Sequence, residues 1–202
     1  MKTDRRTVLK TLAAGPMAVG FVWTEAEAQQ AHTHAQTARR TAKRAATPFK
    51  PKFFTAQEYE TVRVLVDLII PKDERSGSAT DAGVPEFMDF IMTDSPARQT
   101  AMRGGLAWID RECVKRYDKP FLACTDVERT RVLDDIAWPK KAQPELSHGV
   151  AFFSSFRDLT ASGFWSSKMG TDDLIYMGNV VVNEWTGCPE NVLQKLGLDP
   201  TD

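Results

Sequence analysis

The sequence predicts an all-α fold: an irregular multi-helix domain of about six to seven helices, with an extended N-terminal arm and a loop-rich C-terminal region. Three observations carry this. Apolar residues recur at helical spacing in segment after segment, as in Tyr59, Val62, Leu65, Val66 and Ile69. Two of these segments open on a Thr-x-x-Glu capping box, at Thr55 to Glu58 and Thr125 to Glu128. No run before residue 174 alternates as a strand would, and the one β-favouring stretch, Asn179 to Trp185, is short and isolated.

The first 28 residues read as an address rather than as structure. Asp4-Arg5-Arg6-Thr7-Val8-Leu9-Lys10 resembles the twin-arginine export motif, with Asp4 and Val8 where Ser or Thr and Phe are usual. A modestly apolar run from Thr11 to Trp23 follows, then an Ala-x-Ala site at Ala26-Glu27-Ala28. Such a run makes roughly 20 Å of helix, too short for a hydrocarbon core of about 30 Å. Cleavage is expected after Ala28, and the mature chain would begin at Gln29 in the periplasm. Residues 29–52 have the composition of a solvated basic linker, with Arg39, Arg40, Lys43, Arg44, Lys50 and Lys52 and no acid. A flexible tail is one reading; an arm that orders along an acidic partner surface is the other.

The folded region, residues 53–202, then runs helix by helix. The first helix follows Thr55 and stops at Pro71. Residues 72–83 read as a surface loop, and Pro85 suits the first turn of a short helix carrying Phe87, Phe90 and Ile91. Asp94-Ser95-Pro96 opens a helix with the apolar stripe Met102, Leu106, Ile109, Cys113 and Tyr117. Its Gly104-Gly105 pair costs on the order of 1 kcal/mol per glycine; it either admits another backbone closely or is simply tolerated. Val132, Leu133 and Ile136 mark the next helix, ending before Pro139. Val150, Phe153, Phe156 and Leu159 mark another, expected to end at Gly163 and to leave Phe164 and Trp165 on a loop. Asp172-Asp173 is expected to cap a following helix, and Pro189 to open a last one with Leu193 and Leu196 on one face and Gly197 as its stop.

Composition bounds the function. With 26 basic and 27 acidic residues and a net charge of −1 the chain lacks the basic excess of a phosphate-tracking protein, so nucleic acid is not an expected partner. There is no G-x-G-x-x-G after a strand pattern, no P-loop, no haem-attachment motif and no H-E-x-x-H. Cys113, Cys124 and Cys188 are too few and too dispersed for a four-thiolate cluster. His32 and His34 fall in the linker, leaving His148 alone in the folded part. The neighbouring acids Asp134-Asp135, Asp172-Asp173 and Asp110 with Glu112 read as caps and solvated faces. No catalytic, cofactor-binding or metal-binding residue is expected. A chain addressed for export in folded form but without visible means of holding a cofactor suggests an escort for another protein that holds one.

The segment from Phe152 to Pro189 is dense in aromatics. It contains GFWSSKMG (163–170), LIYMGN (174–179) and EWTGCP (184–189). With the opening FFTAQEYETVRVLVDLIIPKDERSGSATDAGVPEFMDFIM (53–92), their order resembles the gluconate 2-dehydrogenase subunit 3 family, the small subunits of bacterial flavin-dependent sugar and polyol dehydrogenases. GFWSSKMG and EWTGCP lean toward relatives acting on glycosides or disaccharides. The resemblance implies a non-catalytic small subunit beside a large FAD-binding subunit of the glucose-methanol-choline type. That partner sometimes carries an iron-sulfur cluster, often passes electrons to a c-type cytochrome, and borrows its export signal; contact with the membrane is indirect. Phe164, Trp165, Trp185 and Cys188 are the expected partner-facing residues, aromatic anchors being frequent interface hot spots. An exported chain with three cysteines leaves one unpaired. Cys113 and Cys124 would pair if their helices form a hairpin, and Cys188, ahead of a helix, would bond to another subunit. Two other classes stay open: a stand-alone exported helical binding or scaffold protein, and a free periplasmic enzyme relying on His148 or Cys188.

Overall fold

A computed structural model of the chain describes residues 25–44, 49–174, 187–188 and 190–197. Arg5, Arg6, Trp185 and the β-favouring stretch at 179–185 lie outside the described residues. Among those described the fold is all helical: α1 (Glu25–Arg44), α2 (Ala56–Ile69), α3 (Ala79–Ala82), α4 (Val84–Asp94), α5 (Gln99–Tyr117), α6 (Asp126–Ala137), α7 (Ser147–Trp165), α8 (Lys168–Asp173) and α9 (Glu190–Leu196), with single 3-10 turns at Pro96–Arg98, Phe121–Ala123 and Pro144–Leu146. No described helix is long and apolar enough to cross a membrane.

Local chemistry sets the helix starts. Thr55 accepts from the Glu58 amide while the Glu58 carboxylate accepts from the Thr55 amide, and Thr125 with Glu128 does the same. Ser78 and Asp81 form a third such box, so the stretch expected to be loop to Gly83 holds the single-turn helix α3. Gly83 closes α3 at φ +89°, a left-handed conformation that glycine adopts without steric cost, and Pro85 lies in the first turn of α4. Between α2 and α4 the carboxylate of buried Asp89 gathers the chain: Lys52, Phe53 and Phe54 donate their amides to it at 2.8, 2.9 and 3.1 Å. An acid inside the apolar stretch FMDFIM was the only trace of this in the sequence.

Helix α7 is the hub, packed against α4, α5, α6 and α8. The predicted stripes point inward: Met102, Leu106, Ile109 and Cys113 of α5, Val132, Leu133 and Ile136 of α6, and Phe153, Phe156 and Leu159 of α7 are all buried. Helices α5 and α6 are neighbours, which brings Cys124 beside Cys113; both thiols are buried and free. Burial, reinforced by Cys124, pushes the Cys113 thiol above its ordinary value.

Part of the basic arm is helical in the structure. Most of residues 29–52 belongs to α1, which lies along α4 and reaches α7. Ala28, Ala31, His32 and Ala35 make a narrow buried seam. Alanines at this spacing give little hydrophobic signal, but they let two backbones approach closely, and Arg40 is exposed on another face. Ala28, the expected cleavage position, is itself in this seam, and a chain cut after it would retain Ala31, His32 and Ala35.

Candidate functional site

The aromatic motif that dominates the sequence sits where α1, α4, α7 and α8 meet. Helix α7 does not stop at Gly163. Gly163 is an interior position where a Cβ would stand 2.9 Å from the Phe87 ring and 3.2 Å from Val84, so a glycine expected to end the helix instead lets α7 press on α4. The two extra residues carry Phe164 into the core, where it is fully buried. The expectation that Phe164 faces a partner is therefore corrected: its ring fills this chain's own interior. Trp165 packs edge-on against it at 4.7 Å and is 39% exposed.

The residues after Trp165 have separate structural tasks. The Ser166 hydroxyl donates to the Ser162 carbonyl and meets His32 Nε2 at 2.8 Å, tying α1 to the end of α7. The Ser167 hydroxyl donates to the Phe164 carbonyl at 2.7 Å and accepts from the Gly170 amide at 3.0 Å, which caps α8. At Gly170 a Cβ would lie 2.1 Å from the Phe164 carbonyl oxygen, so only glycine fits this backbone-on-backbone contact. Asp172 and Asp173 stand at the end of α8, and the helix they were expected to cap would lie outside the described residues. Asp172 pairs with Lys168, and Asp173 with Arg75 at 3.4 Å.

His32, assigned to a linker by its surroundings in the sequence, is buried and stacks on Phe87 with ring centroids 4.8 Å apart. Desolvation holds its imidazole below the ordinary value, and a hydrogen bond with the Gly163 backbone offsets part of that. Arg39 continues the seam, with Nη1 donating to the Asp81 carbonyl at 2.9 Å and Nε lying 3.5 Å from the largely buried Glu86 carboxylate. Beside them Tyr59 is held well above its ordinary value by burial and by Glu86.

These side chains are suited to fastening helices and to presenting a surface. Among the described residues no group of three His, Cys, Asp or Glu side chains is placed to hold a metal ion. The described fold also contains no strand, hence no strand, glycine turn and helix of the kind that cradles a dinucleotide pyrophosphate. His148 is exposed at the start of α7, and Cys188 is exposed just ahead of α9. The structure thus brings Phe164 and Trp165 together, one inside and one outside.

The model of the family described as gluconate 2-dehydrogenase subunit 3 matches residues 56–187. This chain belongs to the gluconate 2-dehydrogenase subunit 3 family. The match runs from the first residue of α2 through the aromatic motif, so the family region contains Asp89, Gly163 and the α7 to α8 junction and excludes α1. A subunit 3 is part of a multi-subunit dehydrogenase, which implies partner subunits. No curated protein and no solved structure is similar enough to the chain to be matched.

Proposed function

We propose that this member of the subunit 3 family is the non-catalytic small subunit of a periplasmic, FAD-dependent dehydrogenase. That enzyme is of the glucose-methanol-choline type and acts on CH–OH groups of sugars, glycosides or polyols. The small subunit takes a cofactor-loaded large subunit out of the cell by the twin-arginine route and stabilises it there. The observation that carries this reading is the family match across residues 56–187, which supports membership of a dehydrogenase complex. The Arg5-Arg6 motif supports the route, and a folded domain whose polar side chains fasten helices supports a role without chemistry of its own. FAD belongs to the companion, which oxidises the substrate, and a c-type cytochrome is the expected electron acceptor. Trp165 and Cys188 are the exposed candidates for contact with the companion, Cys188 through an intersubunit disulfide.

The test is co-expression with a large FAD-binding flavoprotein, which this reading expects to be encoded beside it. The two chains should co-purify from the periplasm with flavin absorbance, and replacing Arg5 and Arg6 by Lys should leave both in the cytoplasm. A small subunit that purifies alone and yellow, or that oxidises sugars unaided, would sink the proposal.

A further inference from the structure

Between α5 and α7, bounded by the 139–147 connection, runs a groove of about 890 Å³. Met102, Trp108, Phe152 and Phe156 give it an apolar floor. The two glycines of α5 behave differently along it. At Gly105 a Cβ would stand 1.8 Å from the Phe152 ring, so that glycine serves packing within the chain. At Gly104, which lines the groove, a Cβ would meet nothing within 4 Å. A glycine inside a helix costs about 1 kcal/mol relative to alanine. At Gly105 the inserted ring offsets that cost, whereas at Gly104 nothing among the described residues does. Bare backbone facing an open apolar groove is room for a group from outside.

The charges on the groove say which group. Arg98 and Arg111 line it, against one acid, Asp158, which is paired with Arg157 at 3.2 Å. Arg111 is exposed and makes no ion pair with any described residue. The chain as a whole is slightly acidic, so this cationic rim is a local feature. Trp138, next in the chain to groove-lining Pro139, is 63% exposed.

We propose that the groove docks an apolar segment of the large companion subunit, one that bears a carboxylate opposite Arg111 and seats a side chain over Gly104. The proposal rests on the small-subunit reading above and adds the surface by which it is carried out. It names a face of α5 and α7 distinct from the Trp165 corner at the far end of α7.

The experiment uses the full chain co-expressed with its expected large flavoprotein subunit, comparing wild type, Gly104→Leu and Arg111→Glu for affinity in the purified complex and for the small subunit's own thermal midpoint. Gly104→Leu should weaken the complex by about tenfold or more, which corresponds to about 1.4 kcal/mol. Its own midpoint should be unchanged or higher, since a helix former replaces glycine in open space. Arg111→Glu should weaken the complex by a similar factor, and wild type, but not this variant, should lose affinity steeply with added salt. If both variants bind like wild type, the groove proposal is overturned and the small-subunit reading stands. If wild type itself retains no flavoprotein, the reading falls and the assigned occupant with it. A wild-type homodimer that Gly104→Leu turns into monomer would make the groove a contact between copies of this chain, again overturning the proposed occupant.

Discussion

At the scale of single residues, the most informative groups are polar side chains that serve the backbone. Asp89 holds three amides of the segment entering α2, and its carboxylate is buried. Replacing it with Ala would strip a charged acceptor from three donors, two of them on buried residues. Hydrogen bonds to charged groups contribute about 1.5 to 3 kcal/mol each, and a buried donor left unsatisfied costs about 1 to 3 kcal/mol. We expect Asp89→Ala to lose roughly 3 kcal/mol or more in chemical denaturation, with Asn intermediate because it retains one acceptor oxygen. Gly170→Ala should fail differently. The added methyl meets the Phe164 carbonyl, which belongs to the backbone and cannot swing aside as a side chain would. α8 should detach while the rest of the domain stays folded, seen as faster amide exchange confined to residues 166–173.

At the scale of elements, α1 is fastened by a narrow set of contacts: three alanines, the His32 stack and hydrogen bond, the His34 stack on Phe90, and Arg39. Its docking should depend on pH, and the sign follows from His32. An imidazole held low by burial binds fewer protons in the docked state than in the undocked one. Docking strength is then complete above the ordinary imidazole value of about 6.5 and falls as pH drops below it. Protease susceptibility of 29–44 should rise between about pH 7 and 5, and a His32→Phe variant, which keeps a ring against Phe87 but does not titrate, should show a flatter profile than wild type. A wild-type profile equally flat would mean that protonation of His32 does not govern docking.

On the scale of the whole molecule, the helical scaffold leaves Trp165 on the surface above a core made partly by its neighbour Phe164. Truncation of an aromatic anchor at the centre of an interface typically costs about 2 to 4 kcal/mol. With the companion present, Trp165→Ala should reduce co-purified flavoprotein at least tenfold while leaving the small subunit's fold intact, because the ring is only partly buried in the free chain. Phe164→Ala should instead unfold the subunit, by about 3 to 5 kcal/mol, since it empties a fully buried site. The two neighbouring aromatics thus separate binding from folding in one pair of variants, read by pull-down and by thermal melt.

The sequence by itself determined what acts within a few residues along the chain. Capping boxes, the proline stops and the apolar stripes of α2, α5, α6 and α7 are legible because a cap reaches three residues and a stripe repeats every three or four. The order of short motifs marked the family, and in GFWSSKMG the glycine at 170 is such a short-range packing rule. Tertiary structure alone decided which of two adjacent rings goes inside, whether an alanine-rich basic stretch is tail or helix, and which of two adjacent glycines faces a neighbour. Those outcomes turn on partners far away in the chain. His32 finds Ser166 across 134 residues, and Gly105 and Gly104 differ only because Phe152 comes to lie over one of them. Burial belongs to the assembled fold, and no window of sequence short enough to read by periodicity contains both sides of such a contact.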